Sequence, residues 1–261
     1  MSEWARVTPR DFRQACREGR YAGTTRGVAL GYLQCNLVMI REPFAYEFLL
    51  YCQRNQRACP VLEVLDAGDP TPHLTAPGAD LRTDLPRYAV YRDGRRLTDV
   101  TDASPLWQPD FVSFLIGSGI AFDQALEDAG VPTDKDRWVI RTTIPTIRAG
   151  RFHGPMVVTM RWLTPEHAIR AVQVTTRYPF NHGAPIHIGD PAAIGADLAN
   201  PLVGPPVDRV RDGVVPVFWA CGVTPQLALA AAAPEIAITH SPGSMFITDR
   251  TDESYRHRGT T

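Results

Sequence analysis

The chain has 261 residues, 44% hydrophobic and 21% charged, enough to bury a core as one large domain or two modest ones, which excludes disorder and coiled coil. Its 27 basic residues against 28 acidic ones leave a formal net charge of -1, so no global field draws it to nucleic acid or to an anionic membrane. Lys135, in the acidic loop Thr133-Asp134-Lys135-Asp136, is the only lysine; pyridoxal and Schiff-base chemistry, which need a lysine on a rigid element, and Gly-Lys-Ser/Thr phosphate loops are excluded.

Thr8-Pro9-Arg10-Asp11 sets a capping hydroxyl before a proline and puts an acid in the first turn, so a helix starts there. β-branched and aromatic runs predict strands over Asn36 to Ile40 and Tyr88 to Tyr91. From Phe111 to Tyr178 the pattern reads as helix, strand, strand, helix, strand. Its strands are Trp138 to Ile144, Met156 to Trp162 and Ala171 to Thr176, with a helix start at Thr164-Pro165. Asp190-Pro191 and Thr224-Pro225 repeat the helix-start device, and Pro216 to Trp219 and Ile236 to Thr239 read as strands. The alternation gives an α/β class: a larger α/β sheet domain of residues 1–112 and 182–261, with an inserted smaller two-layer α+β domain at 113–181.

Met1 to Arg6 carries no apolar run behind its charges, and the apolar stretch Leu227 to Ala233 stops at Pro234, far short of the roughly 20 residues of a membrane span. A cytoplasmic protein is expected. Five cysteines without CxxC spacing argue against a disulfide framework and a structural zinc site. The sequence leaves a homo-oligomer open.

Polar loops hold the candidate chemistry. Val214 to Thr224 reads as strand, turn and helix start, where free N–H groups attract a carboxylate near Gly222 and Thr224. The same field is expected to depress the Cys221 thiol below the ~8.5 of a free cysteine; the alternative is a small core residue. Asn181 to Pro191 carries His182 and His187 in a Gly-rich loop ending at Asp190, which reads as a helix cap. His187 suits acid or base work near neutral pH. Arg151-Phe152-His153-Gly154 and Asp80-Leu81-Arg82-Thr83-Asp84 offer arginines for two-point carboxylate binding, or else salt-bridged loop anchors. His240 ends a strand before a turn, while His73, His167 and His257 read as solvated. A divalent metal on His182, His187, Asp190 or His240 lacks any fixed ligand spacing, so no metal is expected. HExxH, GxSxG, GxGxxG and EF-hand patterns are absent.

Several long blocks have a family look: Asn36-Leu37-Val38, Phe48 to Pro60, Ala76 to Pro86, Arg151 to Val158, His182 to Ile194, Val217 to Gln226 and Ile238 to Asp249. Together they resemble the D-glutamate cyclase family, whose members are described as hydro-lyases. The resemblance implies a two-domain α/β enzyme that closes D-glutamate to 5-oxo-D-proline with loss of water and without a cofactor. It departs from the family pattern at Ser118, Thr143, Thr146 and Ser244, where cysteine, asparagine, cysteine and histidine are usual. Such a reaction needs a base, an acid and oxyanion donors. The expected assignment gives carboxylate anchoring to Arg82, Arg151, Gly222 and Thr224, with His182 and His240 also on the substrate. Proton transfer falls to His187 or His153, oriented by Asp80 or Asp84, with Cys221 beside them. A β-elimination dehydratase and a non-catalytic carboxylate-binding module are the rival readings.

Overall fold

The computed structural model describes residues 3–120, 122–133, 137–209 and 211–256. Helix α1 (Pro9–Arg17) begins as its signal predicts, with the Thr8 hydroxyl accepting the Asp11 N–H at 3.2 Å. Strand β1 (Tyr32–Arg41) then runs directly into helix α2 (Glu42–Arg54), which has proline in its first turn. Strands β2 (Val61–Val64), β3 (Tyr88–Arg92), β4 (Arg95–Val100) and β5 (Phe111–Gly117) come next in the chain, then the short helix α3 (Asp123–Asp128). Strands β6 (Trp138–Pro145) and β7 (Pro155–Leu163) form a hairpin ahead of helix α4 (Pro165–Thr175). The chain closes with β8 (His187–Ile188), β9 (Val215–Ala220), helix α5 (Thr224–Ala232), β10 (Ala237–His240) and β11 (Phe246–Thr251).

These strands build a mixed α/β fold on two antiparallel sheets. The larger has the order β2-β5-β1-β10-β3-β4, and the smaller β6-β7-β9-β8. Along one edge of β1 lies β5. Its other edge is shared, β10 pairing Val38 to Ile40 and β11 pairing Tyr32 to Cys35. Thus β5 belongs with the larger sheet, while β8 and β9 complete the smaller one.

Helices α2 and α5 cover one face of the larger sheet, packing Phe48, Tyr51, Ala228 and Leu229 against Val38, Ile40 and Phe114. The segment 65–85 covers the other face, with Leu65, Leu81 and Leu85 against Leu37, Met39 and Phe111. In the smaller sheet, α3 and α4 press Leu126, Ala168 and Ala171 onto Val217 and Trp219, and Ile194 and Ala196 cover Phe218 and Met160 opposite. Each fully buried aromatic or aliphatic side chain contributes about 1.5–3 kcal/mol.

Three expectations are corrected. Ala171 to Thr176 lies in and just after the C-terminal half of α4, because the Thr164 cap and the packing of Ala168 and Ala171 outweigh β-branched propensity. Phe111 onward is strand β5, buried on both faces, so its apolar run has no alternation to mark it. Asp190 does cap, accepting the Ala192 N–H at 2.9 Å, but the helix it starts is a single 3-10 turn ended by left-handed Gly195.

Candidate active site

On the α5 side of β1, Val38 and Ile40 are core, yet the next residues toward the N-terminus on that face are Gln34 and Asn36, both 4% exposed. Buried amides need partners and mark a built feature. Asn36 Nδ2 donates to the Gly117 carbonyl at 2.7 Å, tying β1 to the end of β5. Gly222, in the β9–α5 turn, lies against this amide so closely that an added Cβ would fall 2.6 Å from its carbon. The His240 ring, at the end of β10, lies between β1 and α5: the Leu37 N–H donates to Nδ1 at 3.1 Å, and Nε2 faces the Gln226 carboxamide of α5 at 3.4 Å. His182, left-handed at φ 75°, donates from Nδ1 to the Arg57 carbonyl at 2.9 Å, and its ring borders Gly119. Of the sequence-predicted residues, Gly222 and His240 therefore line the junction of β1 with the β9–α5 turn, Cys221 and Thr224 lie in that turn and helix start, and His182 stands beyond the end of β5.

Two of these differ chemically from expectation. The Thr224 hydroxyl accepts the Val157 N–H at 3.0 Å and ties α5 to β7. Burial pushes the Cys221 thiol up, although Thr159 and Arg137 pull it down, so it is not the activated thiolate that a helix start would give.

The remaining predicted residues sit apart from this junction. Asp84 is bound by Arg17 at 2.8 Å and accepts the Asp80 N–H, and Asp80 holds Arg82, whose guanidinium lies over the Trp107 ring. This network anchors the segment that covers the opposite face of the larger sheet. Arg151 clamps Glu47 at 2.9 Å and the Pro43 carbonyl at the start of α2, with Phe44 beneath it, and His153 is exposed beside it. At the edge of the smaller sheet His187 is fixed to the Asp190 carbonyl at 2.8 Å. Arg82 thus lies on the face of the larger sheet opposite α5, with its guanidinium committed to Asp80 and Trp107. His73 pairs with Asp69 on the surface, and His257 and Lys135 lie outside the described residues. Among the described residues no three His, Cys, Asp or Glu side chains gather as a metal would require, and no helix is long and apolar enough to cross a membrane.

The sequence reading missed an arginine cluster. The β6–β7 register, with Trp138 opposite Met160, sets Arg137 beside Arg161 on the face that carries Trp219. Arg161 is 6% exposed, lies over the Phe122 and Trp219 rings and binds Asp123 at 2.5 Å. Arg137 also pairs with Asp123, and Arg26 approaches it at 4.0 Å. Burial and the two other arginines push the Arg137 guanidinium well down, and its Nε is buried without an acceptor. Glu127, exposed on α3, adds one further negative charge toward Arg26. Cations this close are held at a cost unless an anion joins them. Against this cluster lies a cavity of about 40 Å³ lined by Arg26, Gln34, Ile120, Asp123, Gln124 and Asp252.

The buried titratable groups set the pH dependence of stability. Burial lowers His182 and His240 from 6.5 to about 4, so both are neutral in the folded protein at pH 7. The unfolded chain takes up these protons first, so their contribution is complete above 6.5 and is lost as pH falls toward 4. Asp252 has the opposite sign: burial raises its carboxyl from 3.8 to about 7, and its contribution is lost as pH rises between those values. Two groups outweigh one. The melting temperature is expected to fall between pH 6.5 and 4.5, and more steeply in Asp252→Asn; thermal unfolding across a buffer series checks this, and a flat profile contradicts it.

A family model described as D-glutamate cyclase matches residues 112–249, which hold β5 through β10 with Cys221, Gly222 and His240. A protein of Bacillus subtilis named "Putative hydro-lyase YcsI" is 51% identical over 95% of this chain and 98% of its own length. A Stutzerimonas stutzeri relative, also named as a hydro-lyase, is 48% identical over 97% of each chain. The chain belongs to the D-glutamate cyclase family. Among solved structures, a nitrogen repressor-like protein from Methanococcus jannaschii aligns with TM-score 0.39 and 12% identity over 88% of this chain and 91% of that one. The four positions at which the sequence departs from the resembled pattern each carry a hydroxyl that makes a local hydrogen bond. Thr143 bonds the Ile194 carbonyl, Thr146 the Gly154 carbonyl and Ser244 the Gly23 carbonyl, while Ser118 accepts the Ile120 N–H.

Proposed function

We propose that this chain is a hydro-lyase that closes D-glutamate, or a closely related small amino acid, into 5-oxo-D-proline or the corresponding lactam with loss of water. The arginine cluster carries the reading. Arg26, Arg137 and Arg161 converge on one carboxylate, Asp123, beside the junction of Asn36, Gly222 and His240. The guanidinium forks around Asp123 are suited to hold a substrate carboxylate in a fixed plane. Family membership and the hydro-lyase names of the relatives support the direction of the chemistry.

In the closure, the amine nitrogen loses a proton and attacks the side-chain carboxyl carbon. A C–N bond forms, a C–O bond breaks, and water departs, with no change of oxidation state. Holding amine and carboxyl at reacting distance supplies on the order of 7 kcal/mol or more.

Incubation of the purified protein with D-glutamate, L-glutamate and a panel of amino and hydroxy acids in deuterated buffer, followed by mass spectrometry, tests this. D-glutamate is expected to lose one water and keep its α-hydrogen. Solvent deuterium at the α-carbon of product marks β-elimination, and thermal stabilisation without turnover of any panel member marks a binding module; either result overturns the proposal.

A further inference from the structure

Helix α2 lies on the larger sheet through Ala45, Phe48, Tyr51 and Cys52, all buried, and a helix packed in this way ordinarily turns a polar face to water. This one does not. Tyr46 is 75% exposed, more than any other large apolar side chain among the described residues, and Leu49 is 41% exposed. Ile147, 60% exposed, stands at the C-terminal end of the helix, where the Asn55 side chain bonds its N–H at 2.8 Å and its carbonyl at 2.9 Å.

The charges on this outward face are ordered. Glu42, Tyr46, Leu50 and Arg54 follow at four-residue spacing, so they form one ridge along the helix with an acid at its start and a base at its end. The exposed Glu42 carboxylate has no salt-bridge partner among the described residues, and Arg54 gives its guanidinium to the Arg148 carbonyl at 2.5 Å rather than to an acid. Arg57 and Arg148, hydrogen-bonded to main-chain carbonyls only, add to the positive end, and Glu47, the other acid of α2, is clamped by Arg151. The helix dipole accounts for where the two charges sit, but not for the tyrosine and leucine left in water between them.

We propose that α2 is a two-fold interface, docking antiparallel on α2 of a second copy of this chain. A ridge that reads acid, aromatic, aliphatic, base is complementary to its own reverse: Glu42 meets Arg54 of the second copy, Tyr46 meets Leu50 of the second copy, and symmetry repeats both contacts. Leu49 of each copy then lies near the axis. Antiparallel docking also opposes the two helix dipoles, whereas parallel docking sets Glu42 against Glu42 and Arg54 against Arg54. An acidic partner of another kind satisfies Arg54 and leaves Glu42 facing like charge, so the order of the ridge selects a second copy. At a rise of 1.5 Å per residue the helix offers a contact roughly 20 Å long. The interface is independent of the reaction proposed above.

Sedimentation velocity of the full chain across the micromolar range, at low salt where surface charges are least screened, is expected to show monomer passing to dimer and no larger species. Tyr46→Glu and Leu49→Glu are each expected to raise the dimer dissociation constant at least about tenfold while leaving the melting temperature of dilute protein unchanged, because both side chains are exposed in the single chain. Reversing the charges one at a time tests the geometry. Glu42→Arg places arginine against Arg54 at both symmetric contacts, and Arg54→Glu places glutamate against Glu42 at both, so each alone is expected to weaken the dimer by about tenfold. Mixed in equal amounts, the two variants restore both pairs in a heterodimer, and association is expected to return to that of the unmodified protein. An unmodified chain that stays monomeric throughout leaves this face to some other partner and overturns the proposal. A dimer indifferent to Tyr46→Glu and Leu49→Glu, or a mixture no tighter than its components, overturns it too.

Discussion

Replacing Arg161 with methionine is expected to lower kcat/KM for D-glutamate by about 10²-fold or more while leaving the melting temperature of the ligand-free protein unchanged or higher. Truncating a buried, hydrogen-bonded charge that holds a ligand carboxylate costs about 2–5 kcal/mol, and each 1.4 kcal/mol is a factor of ten. Arg161 is the arginine to choose because the Phe122 and Trp219 rings fix its guanidinium, with centroids 5.4 and 5.5 Å away. Methionine keeps the stem in contact with both rings and removes only the charge.

The stability arm separates a substrate anchor from a structural ion pair. If Arg161 serves only to neutralise Asp123, its loss leaves a partly paired, half-buried carboxylate and the melting temperature falls. If the cluster holds excess positive charge for a ligand, Asp123 keeps Arg137 and Arg26, repulsion between neighbouring guanidinium groups is relieved, and the fold is no worse off. Thermal unfolding with and without D-glutamate reads both terms, since a ligand that binds the folded state raises its stability by mass action. A drop of several degrees in the ligand-free variant with unchanged kinetics would return Arg161 to a purely structural role.

The arginine cluster also shows where sequence legibility ends. Helices α1 and α4 were readable because a threonine cap and a proline act locally, and β9 with the α5 start was readable as strand, turn and helix. The junction residues Cys221, Gly222 and His240 followed from their places at element ends. Arg161 had a signal too, a charge within the apolar run Met156 to Leu163, which only a buried partner explains. Arg26 and Arg137 had none, since each sits in a loop whose neighbours in space lie far along the chain. The clusters at Asp80–Asp84 and Arg151 look chemical in one dimension because structural ion pairs and substrate anchors use the same residues. Only the placement of Arg17 and Glu47 separates the two.

Gly222→Ala is expected to destabilise the protein by about 2–4 kcal/mol and to abolish turnover. Gly222 carries no left-handed backbone; it is glycine because the β9–α5 turn presses on the Asn36 amide, with the carbon and oxygen of that amide both 2.6 Å from where a Cβ would stand. The turn cannot retreat, since β9 is paired along its length with β7 and α5 is packed on Val38, Ile40 and Ala237. Asn36 must therefore move, at about 1–3 kcal/mol for overpacking, and the Gly117 carbonyl loses its 2.7 Å donor at about 1 kcal/mol more. At about 2–4 °C per kcal/mol for a chain of this size, the melting temperature drops by roughly 5–15 °C. Because the clash runs through one side chain, the effects are non-additive: Asn36→Ala opens the space, and the double variant recovers part of the stability lost in Gly222→Ala. Activity does not return with it if the Asn36 amide faces substrate at the junction. Recovery of both stability and turnover in the double variant would show that Asn36 only fills space, and would move the reacting centre away from the β9–α5 turn.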